Sequence, residues 1–205
     1  MTPAADAWHG AWRALRLTPA PGLLAELESR YREPHRAYHT LQHLDECFAR
    51  LAEAESLAER LAEVRIALWF HDAVYDTRAA DNEEASARWA RESLEAAGAG
   101  EAAARVAELV LATRHAAVPV GRDPQLLVDV DLSILGAEEA RFDEYERQVR
   151  REYEWVAEPA FRAGRARVLE SFLARPAIFT TPWFAERLEP RARRNLARSL
   201  RALAE

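Results

Sequence analysis

The sequence predicts an all-α fold, and two observations lead there. Apolar residues recur at helical rather than alternating spacing, and the prolines punctuate the chain between those periodic stretches. No segment reads as a strand. Expected helices fall near residues 5–16, 20–33, 38–54, 57–73, 82–97, 101–115, 124–135, 138–156, 160–174 and 183–203. Leu57, Leu61, Val64 and Leu68 form one apolar stripe, Val106, Leu109, Val110 and Thr113 a second, and Leu196, Leu200 and Leu203 a third. Such stripes are core faces. The expected loops are 76–81, carrying Asp76, Thr77 and Asp81, and 116–123, carrying Pro119 and Gly121.

The chain has 205 residues, enough for a single domain with a sizeable core. With 49% hydrophobic and 30% charged residues it reads as a soluble globular protein, and no apolar run reaches the roughly 18 residues that span a bilayer. Its start, MTPAADAWHG, has neither the basic opening nor the apolar stretch of a secretory leader, so a cytoplasmic location is expected. The single cysteine, Cys47, has no disulfide partner and reads as a small buried helix residue. A net charge of −6 argues against broad nucleic-acid binding, which needs a basic surplus to displace counterions, but allows a small phosphorylated substrate. Every basic residue other than histidine is arginine, which is as compatible with codon bias as with guanidinium chemistry.

The segment IALWF, residues 66–70, departs from amphipathic patterning. It is apolar on every side of a helix and runs straight into His71 and Asp72, so it predicts a buried helix that delivers polar groups to the interior. An unpaired buried carboxylate costs several kcal/mol, and a cation is the obvious partner.

Two further elements carry candidate ligands. His39 and His43, in YHTLQHL, are four apart and would share one face of a helix. In VDVDLS, Asp129 and Asp131 stand among apolar residues. Each element alone also fits an ordinary structural role, as a surface or core histidine or as a capping aspartate.

The order His, then His-Asp, then Asp, embedded in apolar helical sequence over residues 36–135, resembles the HD-domain superfamily of metal-dependent phosphohydrolases. YHTLQHL resembles the segment of cyclic-nucleotide phosphodiesterases in which the first histidine is a proton donor and the second a metal ligand. LWFHDAVYDT resembles the His-Asp helix of those enzymes and of guanosine-tetraphosphate hydrolases, and VDVDLS their closing aspartate. The whole chain, including VRREYEWV and RARRNLARSL, looks like a bacterial group of predicted HD-superfamily phosphohydrolases. The resemblance implies a single HD-type helical bundle, with a metal-site core over about 36–135 and additional C-terminal helices over about 136–205. It implies His43, His71, Asp72 and Asp131 as metal ligands, His39 as general acid, and Asp129 as structural. Two imidazoles and two carboxylates suit a divalent Mn, Fe, Co, Ni, Zn or Mg ion.

The chain departs from these relatives at Tyr75, which precedes Asp76 where alarmone hydrolases have a glutamate and phosphodiesterases a further histidine. Only Asp76 then carries over, as a water-orienting or second-metal group. In DNEEASA either Glu83 or Glu84 can return to the pocket; the small neighbours Ala87 and Ala90 favour Glu84, while helix-dipole compensation serves equally. His115 ends an apolar helix, either as a substrate or second-metal contact or as a histidine satisfied by the helix C-terminus.

Phosphate needs cations. Arg36 and Arg114 adjoin site motifs and lead as substrate-binding residues, ahead of Arg78, Arg150, Arg162 and Arg165. The expected function is hydrolysis of a phosphoester or phosphoanhydride in a small molecule, such as a nucleotide, without broad nucleic-acid binding or a membrane partner. A di-iron HD-fold oxygenase and a non-catalytic, metal-stabilised regulatory domain are the alternatives.

Overall fold

The computed structural model describes residues 3–205, with side chains from residue 4; the first two residues of the N-terminal stretch read above for a leader lie outside the described residues. Among them there is no strand, and ten α-helices carry the chain: α1 (Pro3–Ala14), α2 (Leu23–Arg30), α3 (Leu41–Ala54), α4 (Leu61–Phe70), α5 (Asn82–Ala96), α6 (Gly100–Ala112), α7 (Arg122–Asp131), α8 (Glu139–Glu152), α9 (Glu158–Leu173) and α10 (Pro182–Ala204). Single 3-10 turns occupy Glu55–Leu57 and Leu132–Gly136. None of the helices is long and apolar enough to cross a membrane. The all-helical expectation holds. Boundaries move by up to four residues, as at α4, expected over 57–73; the shift that matters for the site lies at α3, whose start is fixed by Thr40: its side chain accepts from the Gln42 N–H, so residues 38–40 form a turn.

The chain divides into two compact units, Met1–Val130 and Asp131–Glu205. In the first, α4 packs against α1, α3, α5 and α6, and α5 pairs along α6. Every residue from Ile66 to Phe70 is buried, as the apolar run predicts. Trp69 is the hub. Its ring lies 5.8 Å from Trp8, 6.5 Å from Tyr31 and 5.9 Å from Phe48, and its indole N–H donates to the Ala4 carbonyl at 3.2 Å. Burying each such side chain contributes roughly 1.5–3 kcal/mol, with edge-on aromatic pairs adding to that.

The start of α4 is anchored from a distance. The buried Asp123 of α7 accepts from the backbone N–H groups of Glu59 at 2.7 Å and Arg60 at 3.1 Å, which compensates donors that precede the first helical turn. Alongside, buried Glu63 receives a bidentate Arg105 at 2.8 and 2.7 Å.

In the second unit, α10 packs against α9 and against the Leu132–Gly136 turn. Asn195 donates to the carbonyls of Leu135 at 2.9 Å and Ala137 at 3.0 Å, and Arg191 donates to the Gly136 carbonyl at 2.6 Å. A Cβ on Gly136 would lie 2.7 Å from Leu188 Cβ, so this contact needs glycine. A half-buried cluster joins α8, α9 and α10: Glu146 accepts from Arg165 and, at 2.8 Å, from Ser199. Burial opposes the charge of Arg165, but Tyr145 and Glu146 outweigh it and raise its pKa.

Candidate metal centre

The site begins at the end of α4, where the last carbonyls of a helix need partners. The Leu68 carbonyl accepts from His71 Nδ1 at 2.7 Å, the Trp69 carbonyl from the Tyr31 hydroxyl at 3.1 Å, and the Phe70 carbonyl from the Ala73 N–H at 3.0 Å. The first of these bonds decides chemistry. A carbonyl only accepts, so Nδ1 holds the hydrogen and the neutral His71 ring presents its Nε2 lone pair.

That lone pair faces two other polar groups. His43 Nε2, from α3, lies 3.2 Å from His71 Nε2; Asp72 Oδ2 lies 3.0 Å from His71 Nε2 and 3.6 Å from His43 Nε2. Both histidines are buried. Asp131, the last residue of α7, joins the two histidines: one ligand atom each from His43, His71 and Asp131 all lie within 4.8 Å of one another, a set that does not include Asp72. The nine preceding residues of α7 belong to the first unit, so that helix itself carries Asp131.

These separations fit a shared cation. With bonds of about 2.1 Å, neighbouring ligand atoms are about 3.0 Å apart at octahedral angles and about 3.4 Å apart at tetrahedral ones. The His43–His71 and His71–Asp72 separations lie in that range. The donor set, two nitrogens and carboxylate oxygens, suits Mn²⁺, Fe²⁺, Co²⁺, Ni²⁺ or Zn²⁺. Burial would raise the Asp72 carboxyl pKa, but the imidazoles of His71, His39 and His43 outweigh it and hold the group below the usual carboxylate range.

The sequence-predicted residues around these ligands have different surroundings. His39 stands in the turn before α3, which corrects the expectation that it shares a helix face with His43. The turn nevertheless brings its ring within 6.0 Å of the His43 ring and stacks it on Tyr75 at 4.1 Å. Tyr38 contacts both, at 4.8 Å from the His39 ring and 4.7 Å from the His43 ring.

Arg36 does not present its guanidinium as a substrate clamp. Its side chain is fully buried, and its donors go to Glu33 and to the carbonyls of His39, Asp72 and Ala73. Asp76 is exposed, and its carboxylate accepts from the Arg78 N–H at 2.9 Å while Asn82 bonds its backbone on both sides. This is loop-closing geometry. Glu84 and Arg114, expected in separate roles, pair with each other at 2.8 Å. His115 follows α6 with a positive φ of 54°, and Asp129 is completely buried within α7.

Three supports escaped the sequence reading: the Leu68 carbonyl that sets the His71 tautomer, Cys47, whose sulfur lies 3.7 Å from both ring nitrogens of His43, and Asp123 at the far end of α4. Only Cys47 left a trace in sequence, four residues after His43 on the same helix. No family model matches the chain, and no curated protein or solved structure matches it significantly. The chemistry of the site therefore carries the functional reading.

Proposed function

We propose that this chain is a metal-dependent phosphohydrolase of the HD superfamily, cleaving a phosphoester or phosphoanhydride of a small molecule such as a nucleotide. The observation that carries this reading is the meeting of His43 Nε2, His71 Nε2 and Asp72 Oδ2 within 3.6 Å, joined by Asp131. These four residues would hold the ion. When bound, a divalent cation supplies an activated water and polarises a phosphoryl oxygen.

Openness favours a catalytic over a closed structural site. The imidazoles are buried, but the Asp72 side chain keeps 18% of its surface exposed and Asp131 is also partly exposed. The carboxylate edge thus leaves room for a water or substrate oxygen. His39, half-buried beside His43, would hold a proton on its imidazole for the departing oxygen when the P–O bond breaks.

The test is purified protein with Mn²⁺ or Co²⁺ against a panel of nucleotides and phosphoesters. Release of phosphate or pyrophosphate that disappears on chelation is expected; a loaded protein inert across the panel would count against hydrolysis and for the regulatory alternative.

A further inference from the structure

We infer that Arg36 is a positioning residue for the metal centre, a brace that fixes the His71–Asp72 corner against the His39 turn and thereby sets metal affinity. The guanidinium has five N–H donors in a planar fork. Nε donates to Glu33 Oε2 at 3.1 Å, one terminal nitrogen to the carbonyls of Asp72 at 2.6 Å and His39 at 3.2 Å, and the other to the Ala73 carbonyl at 3.1 Å. The fork therefore ties the segment just beyond α4 to the turn that precedes α3. Tyr31 and Tyr75 hold it at 5.2 and 5.4 Å from their ring centres. Ligands from α3 and α4 meet at 3.2 Å, so small shifts of the corner separate them.

A lysine cannot replace this arrangement. Its ammonium is a compact point with no planar fork: set where one terminal nitrogen bonds Asp72 and His39, it leaves the Glu33 and Ala73 contacts unmade. The inference rests on the metal-site reading above, not on the choice of substrate.

The test is titration calorimetry of the full chain with Mn²⁺ and with Co²⁺, comparing wild type, Arg36→Lys, Arg36→Met and Arg105→Met. The last variant breaks the ion pair near the other end of α4 and serves as a stability control. Wild type is expected to bind, the Arg36 variants to bind about 10- to 100-fold more weakly, and Arg105→Met to bind within about twofold of wild type while unfolding at lower temperature. Glu33→Gln, which loosens the guanidinium from its partly exposed side, shifts affinity the same way by a smaller factor and keeps the test open should the Arg36 variants not fold. Wild-type affinity in the folded Arg36 variants, or in Glu33→Gln if they do not fold, overturns the brace. So does an equal loss in Arg105→Met, because the effect would then follow global stability. A wild-type chain that binds neither ion overturns the metal reading itself, and the brace with it.

Discussion

His43 and His71 turn their Nε2 atoms on each other at 3.2 Å, and the hydrogen on His71 Nδ1 leaves the facing nitrogen as a lone pair. A cation taken up between the two nitrogens would be held by both rings. Metal should therefore stabilise the fold: at a free concentration 100 times Kd, the gain is about 2.7 kcal/mol. Thermal unfolding with and without chelator checks this, with a rise of roughly 5–10 °C expected for a chain of this size. His71→Ala should abolish the shift.

His39 separates binding from catalysis. Its ring stacks on Tyr75 at 4.1 Å, and its centre lies 6.0 Å from that of the His43 ring. His39→Ala should keep its metal content, measured by elemental analysis, while kcat falls about 100-fold or more on whichever phosphoester the wild type cleaves. Loss of metal together with activity would instead make His39 a ligand.

Tyr31 gives an alkaline signature. Burial raises its pKa well above the ordinary value, with the Asp72 charge acting in the same direction. A raised folded pKa contributes stability that is complete below the unfolded value, about 10, and is lost as pH rises above it. Urea unfolding should show stability falling above about pH 10. Tyr31→Phe should remove this tyrosine's share of the slope while costing about 1 kcal/mol at neutral pH through loss of the bond to the Trp69 carbonyl. An unchanged alkaline slope would mean that Tyr31 ionises in the folded state.

What the sequence made legible follows from local patterning. IALWF cannot be amphipathic, so its burial and the delivery of His71 and Asp72 could be read directly. The turn at His39 was hidden because YHTLQHL continues a helical spacing, and only the Thr40 cap ends it. Arg36 was misread for another reason. Its position beside a site motif suggested phosphate, but its partners are backbone carbonyls at 39, 72 and 73, and backbone acceptors leave no mark on residue identity. The choice of Asp131 over Asp129 as a ligand came from the resemblance; the structure buries Asp129 completely in α7 and sets Asp131 at the helix end, in the cluster.

The pairing of Asp123 with Glu59 and Arg60 spans more than sixty positions, beyond local pattern, and it can be tested by substitution. Asp123→Ala leaves two N–H groups before α4 without their acceptor and should cost about 1–2 kcal/mol in urea unfolding. A cost below about 0.5 kcal/mol would mean that water satisfies those groups and that α4 is held by its apolar faces alone.

Gly136 tests close packing in the second unit. An added Cβ would stand 2.7 Å from Leu188 Cβ and 3.1 Å from the Leu188 carbonyl oxygen. Neither neighbour is the flexible end of a side chain, so relief requires backbone movement. Three bonds resist it, because Arg191 grips the Gly136 carbonyl and Asn195 the carbonyls on either side. Overpacking of this kind costs about 1–3 kcal/mol, so Gly136→Ala should lower the thermal midpoint by several degrees. Adding Leu188→Ala to the same chain does not relieve the clash, because Cβ and the carbonyl remain. The double variant should therefore be less stable than Gly136→Ala. Recovery of the midpoint in the double variant would show that the outer Leu188 side chain, and not its backbone, sets the limit at Gly136.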